Sequence, residues 1–303
     1  MFAHGQDRLR VDASSRLQST FLVVLCGSLL ALLAVLARVG AAEGISASQM
    51  AFLTSAGAGL LLLMVNLRRG SPPPFDRRHI VAYVALGAMS FALPNVLRFA
   101  IAVQLGAGFA SALSAATPLL TLAGAAAIGQ ERLRVASMVG LSLGCIGALL
   151  LLGAATLDVP RDILWLLLAA LVPMANAAGN ILRGIVLPER AGTSIISGVL
   201  LTAALLLAPP ALLTLHDHGW SGSALPVVAA SVIVAMLFQV SLFRLQSTAG
   251  AVVMSQIGYV AAIVGVGLSA LLFGEQPSAV LWLSISLIVL GMRLVAPRPH
   301  EIR

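Results

Sequence analysis

The chain has 303 residues, of which 59% are hydrophobic and only 10% charged, with a mean hydropathy of +1.02. A water-soluble domain carries about a quarter charged residues, so this chain cannot cover itself with a hydrated surface, and lipid must be its main solvent. The net charge of +7 comes from 18 arginines and no lysine; their scatter between apolar runs excludes a nucleic-acid-binding stripe, and the missing lysine excludes a Schiff-base cofactor.

Apolar stretches of roughly the 17–25 residues needed to cross a bilayer predict ten transmembrane helices, over 18–37, 46–66, 80–100, 106–128, 135–155, 163–182, 194–215, 226–243, 248–273 and 278–296. The first follows Arg8, Arg10 and Arg16 and has a leader-like flank at Ala37 and Ala41-Ala42. Its apolar core is longer than a leader's, so it reads as an uncleaved helix. Segment 80–128 is too long for one crossing and bends at Gln104 to Gly108. Cys26 and Cys145 both lie inside apolar runs and read as small hydrophobes, with no disulfide framework. Short tails, 1–17 and 297–303, flank the bundle.

The arginines set a direction. With the N-terminus inside, fifteen fall on the cytoplasmic side and only Arg38, Arg98 and Arg161 outside. Positive charge is retained on the cytoplasmic side of short loops, so both termini are expected there, in an inner membrane.

An internal repeat organises the chain. Glu131 and Glu275, Ser142 and Ser286, and Gly147 and Gly291 all share an offset of 144 residues. That is close to half the length, so each half holds five helices, 18–155 and 163–296. Five is odd, so the second half must run upside down relative to the first. The expected fold is an all-α membrane protein of ten transmembrane helices in two inverted five-helix repeats, an architecture of transporters with the solute near the midplane.

Ala110-Ser111, Thr117-Pro118-Leu119, Gly129-Gln130-Glu131-Arg132-Leu133 and the Gly-rich stretch 140–153 form one set of motifs. Ser247-Thr248-Ala249, Gly250-Ala251, Phe273-Gly274-Glu275 and Gly291 form the second. With these the chain resembles the EamA-like branch of the drug/metabolite transporter superfamily, although Ala262 stands where Pro118 has its counterpart. The resemblance implies movement of small metabolites, with the last helix of each half peripheral and the others lining a central cavity.

Polar side chains at bilayer depth face a lumen or a partner helix. Asn95 and Gln239 are 144 apart, at equivalent depths, and each carboxamide both donates and accepts; they either contact solute or bond between helices. Arg98 follows Pro94 by four residues. It either turns inward to hold a carboxylate or phosphate through two hydrogen bonds or snorkels to the outer headgroups. Asn176, Asn180 and Arg183 share one helix face; Arg183 is expected at the cytoplasmic interface, leaving Asn176 and Asn180 as lumen candidates. Ser111 and Ser114 face the alternative of bonding their own backbone, while Gln256 and Tyr259 offer an amide and a polar-tipped ring. Gly258, Gly265 and Gly267 allow close helix approach or bending, and Gly140, Gly144 and Gly147 suggest a packing seam. Trp165, Trp220 and Trp282 fit an interfacial belt.

Glu131 and Glu275 sit at the beginnings of helices, where a carboxylate suits the dipole. The tract His216-Asp217-His218 reads as a polar loop, with no metal site. No Asp or Glu falls mid-membrane, so proton coupling through a buried acid is not expected, and facilitated diffusion or exchange is favoured. No cofactor, nucleic acid or catalytic group is called for, and the expected partners are a small-molecule solute and the bilayer, with a homodimer left open. A secondary transporter or facilitator for an amino-acid-like or other zwitterionic or anionic metabolite, working as an efflux permease, ranks first. A non-transporting membrane partner subunit, and after it an intramembrane enzyme, are the alternatives.

Overall fold

The computed structural model describes residues 3–129, 135–157, 163–186, 192–214, 220–248 and 257–295. Among them no strand occurs, and the helices follow in the order α1 Ala3–Ala42, α2 Ala47–Arg68, α3 Arg77–Gln104, α4 Ala107–Ala127, α5 Val135–Leu157, α6 Ile163–Val186, α7 Thr193–Leu213, α8 Ala224–Thr248, α9 Ile257–Phe273 and α10 Ala279–Val295. Seven are long and apolar enough to cross a membrane, namely α1 from Leu17 onward, α2, α3, α4, α6, α7 and α8. α9, most of α10 and the Met138–Leu150 part of α5 are shorter apolar stretches. The ten match the ten predicted spans, and the chain is a multi-span membrane protein. The apolar part of α1 begins at Leu17, next to the predicted start of the first span at 18, and the helix itself continues back to Ala3.

Corners are written in the local sequence. After α1, Gly44 takes a φ of +85° and the Ile45 N–H donates to the Gly40 carbonyl at 2.9 Å, a glycine-dependent helix stop. Ser46 then caps α2, accepting from the Gln49 N–H at 3.2 Å while its own N–H donates to Gln49 Oε1 at 3.0 Å, so two orphan donors are satisfied at once. Between α3 and α4 the chain turns at Gly106, with φ +102°, inside the bend that the sequence predicts.

Two helices change gauge just ahead of a proline. In α3, Gly87–Ala92 forms a π-helical turn before Pro94, and in α4, Leu113–Ala116 tightens to 3-10 before Pro118. A proline removes one N–H from the ladder and crowds the preceding turn, and the backbone takes up the mismatch as a wider or tighter turn.

The packing order repeats with a step of five helices. α1 packs on α8 and α9, as α6 does on α3 and α4; α2 on α8 matches α7 on α3. The pairs α2–α7, α4–α9 and α5–α10 map onto themselves. In the α5–α10 seam, a Cβ on Gly147 would come within 2.8 Å of the Ser284 carbonyl, and Gly291 lies directly on Gly140 and Gly144. These glycines are what let the two helices touch backbone to backbone.

Candidate functional site

The bundle has two ends. One carries the corners 43–46, 105–106, 220–223 and 274–278; the other carries 69–76, 128–129 and residue 192. At the first end α4 crosses α9 at close range. Gly108 lies against Ser269 and Val266, Gly265 against the Ser111 side chain, and Gly258 against the Ser114 carbonyl. Gly258 and Gly265 are thus contact points, whereas Gly267 faces open space.

An ionic knot closes this crossing. Glu275, just after α9, pairs with Arg38 near the end of α1. Its Oε2 also accepts the Gly108 N–H at 3.3 Å, in the first turn of α4. The Arg38 guanidinium lies 4.4 Å from the centre of the Phe273 ring, within cation–π range. Glu275 does meet a helix start, but it is the start of α4 in the other half of the chain and not that of α10. Glu131 lies outside the described residues.

Packing at this end also includes α1 against the last part of α3. By the five-helix step its counterpart would be α6 against the last part of α8, and among the described residues that pair has no contact of comparable extent. Among the described residues, more helix pairs meet at the Arg38 end.

The polar candidates are distributed as follows. Asn95 is half-buried on α3 and Gln239 buried on α8; those helices do not pair extensively, and α1 and α2 lie between them. Arg98 is only 5% exposed, so it does not spread onto the lipid face, and its Nε has no hydrogen-bond partner. Ser111 is buried and donates to the Ala107 carbonyl at 2.9 Å, the self-capping alternative. Ser114 Oγ and Tyr259 OH are buried without partners. Asn176 donates to the Val172 carbonyl at 3.0 Å, and the exposed Asn180 donates to Thr121 Oγ1 at 3.3 Å, tying α6 to α4. Arg183 stays within the bundle margin, 5.9 Å from the centre of the Phe91 ring. Gln256 and the tract 216–218 lie outside the described residues. Trp220 and Trp282 are exposed, and the Trp220 indole donates to Gln49 Oε1 at 3.2 Å.

Other buried polar groups carry no distinctive motif. Ser90 Oγ, unpartnered in the π-turn of α3, abuts Gly179 of α6, and Ser269 Oγ is likewise buried and unpartnered. Asn66 links α2 to α7, accepting from Thr193 Oγ1 at 2.7 Å. A polar residue opposite a glycine 89 positions away has no local signature; only the position of Ser90 four residues before Pro94 was a signal.

Residues 18–153 match the model of the EamA-like transporter family. That stretch is an EamA-like unit of the drug/metabolite transporter superfamily. A crystal structure of another protein, 21% identical, superposes with a TM-score of 0.64 over 93% of this chain and 97% of that one, so the fold extends beyond the matched half. No curated protein matches the sequence. The matched stretch contains one helix of each close pair, α5 of the α5–α10 seam and α4 of the α4–α9 crossing.

Proposed function

We propose that this EamA-like protein is a secondary transporter or facilitator that moves a small polar metabolite across the membrane by alternating access. The solute is amino-acid-like, or otherwise zwitterionic or anionic, and the net direction is efflux from the cytoplasm. The observation that carries the reading is the α4–α9 crossing, tied at one end by Arg38, Glu275 and Gly108, while among the described residues the opposite end shows no α6–α8 packing to match α1 on α3. A bundle of two equivalent halves, tied at one end, has a second arrangement of similar packing available to it with the ends exchanged.

In this reading 18–155 and 163–296 are the two repeats, both tails are cytoplasmic, and the Arg38 end is external, following the arginine bias. The pathway candidates are Asn95, Gln239, Asn176, Asn180, Arg98, Ser114 and Tyr259, with Ser111 and Gln256 beside them. None of the three acids whose side chains are described, Glu43, Asp76 and Glu275, lies mid-span, which supports facilitated diffusion or exchange over proton coupling.

Flux into proteoliposomes tests it, with amino acids, organic acids, nucleobases and cationic drugs as the panel. Transport of one class, lost in the Asn95→Ala/Gln239→Ala double variant, is the expected result. Flux that survives the double variant removes those residues from the pathway; silence across the panel with folded protein favours a partner-subunit role.

A further inference from the structure

Arg98 poses a problem of charge. It lies six residues before the end of α3, about 9 Å along the helix axis, on the buried face shared with Pro94 and Ile101. Its side chain is 95% shielded and its Nε is unpartnered. A guanidinium stays protonated in proteins, and a buried, uncompensated charge is strongly unfavourable.

The described carboxylates are all committed elsewhere. Glu275 holds Arg38 and the Gly108 N–H, Glu43 takes the Ser221 hydroxyl, and Asp76 holds His79. Among the described residues none pairs with Arg98. Arg98 lies one turn after Pro94, and its burial keeps the side chain from extending along the membrane surface.

We infer that Arg98 is the anchor for an oxyanion, so that the solute must carry a free carboxylate or phosphate group, which the planar guanidinium grips through two parallel hydrogen bonds. Solutes without an oxyanion leave Arg98 without a counter-charge among the described residues and are rejected. The inference rests on the transport reading for its consequence, but the anion site stands or falls separately.

The test uses the full chain in phosphatidylcholine nanodiscs and proteoliposomes. Malate, L-alanine and inorganic phosphate are the oxyanion probes; L-alaninamide and putrescine are carboxylate-free controls. Expected is a rise in melting temperature with at least one oxyanion probe and with neither control. In Arg98→Gln the affinity drops by about thirtyfold or more, Arg98→Lys keeps part of it, and the ligand-free Gln variant melts higher than the parent because an uncompensated charge has gone. Stabilisation by oxyanions that survives in R98Q overturns the site. So does a ligand-free R98Q that melts lower, which marks a structural arginine, and so does the absence of any oxyanion effect. Stabilisation by added phosphatidylglycerol alone assigns the site to a lipid headgroup and overturns a soluble substrate. Oxyanion binding through Arg98 without flux keeps the site and sinks transport; alaninamide flux indifferent to R98Q keeps transport and sinks the site.

Discussion

The Glu275 carboxylate joins Arg38 to the first turn of α4, so that one side chain holds three helices from both halves of the chain. A half-exposed ion pair is worth little by itself. Here the same carboxylate also takes a backbone N–H, and hydrogen bonds to a charged group contribute about 1.5–3 kcal/mol.

Glu275→Gln is therefore expected to loosen this end. A loss of about 1.4 kcal/mol is a tenfold change in an equilibrium constant. A membrane-impermeant maleimide should label a cysteine placed at the buried Ser269 about tenfold faster in the Gln variant, in a Cys26→Ala/Cys145→Ala background. Equal labelling rates would show that the knot does not hold the end closed.

Gly106 is a sharper case than Gly70. Gly106 has φ +102°, and a Cβ there would meet Glu275 Oε1 at 2.7 Å; Gly70 has φ +66° with open space around it. Gly106→Ala combines backbone strain of about 1–3 kcal/mol with displacement of the carboxylate. It should lower the melting temperature clearly more than Gly70→Ala, a comparison that differential scanning fluorimetry in detergent can make.

The α5–α10 seam predicts a similar contrast. Gly147→Val forces side-chain atoms against the Ser284 and Ile288 backbone, whereas Gly267→Ala on α9 adds a methyl to open space. Size-exclusion profiles after extraction should show Gly147→Val aggregated or absent and Gly267→Ala close to the parent. A well-folded Gly147→Val would mean the seam can separate without cost.

At the opposite end, Asp76 caps α3. The His79 backbone N–H, bonded at 2.9 Å, and then the His79 ring hold its carboxyl below the usual carboxylate range. A depressed folded-state value means the stabilisation is present above the ordinary Asp value and fades as pH falls through the folded one. Asp76→Asn keeps a capping oxygen and should flatten that acid dependence, while Asp76→Ala should lose the cap at every pH. Melting curves from neutral to acidic pH distinguish the three; identical slopes for parent and Asn variant would refute the assignment.

The bundle itself was readable because lipid imposes simple rules: long apolar runs, glycine at the bend of Gly106, and a 144-residue offset that turns one half over. The site was less readable. In sequence Glu275 reads as serving its own helix, because its partners lie 167 residues back at Gly108 and farther still at Arg38. A clue was present: Arg38 and Arg183 are 145 apart, one more than the repeat, so each half offers an arginine near the end of its first helix. Polar residues such as Ser111 and Asn176 look alike in sequence whether they face a lumen or their own backbone, because an i−4 carbonyl is always within reach on a helix.

The 3-10 turn at Leu113–Ala116 gives α4 a place to pivot. From Ser114 to Ala127 the helix extends roughly 20 Å, so a swing of about 10° there would carry its far end about 3 Å. The glycine contacts lie beside this fulcrum, where displacement is least. A pivot there would leave the short arm, Ala107–Ala112, gripped through Glu275 at Gly108 while the long arm moved at the other end.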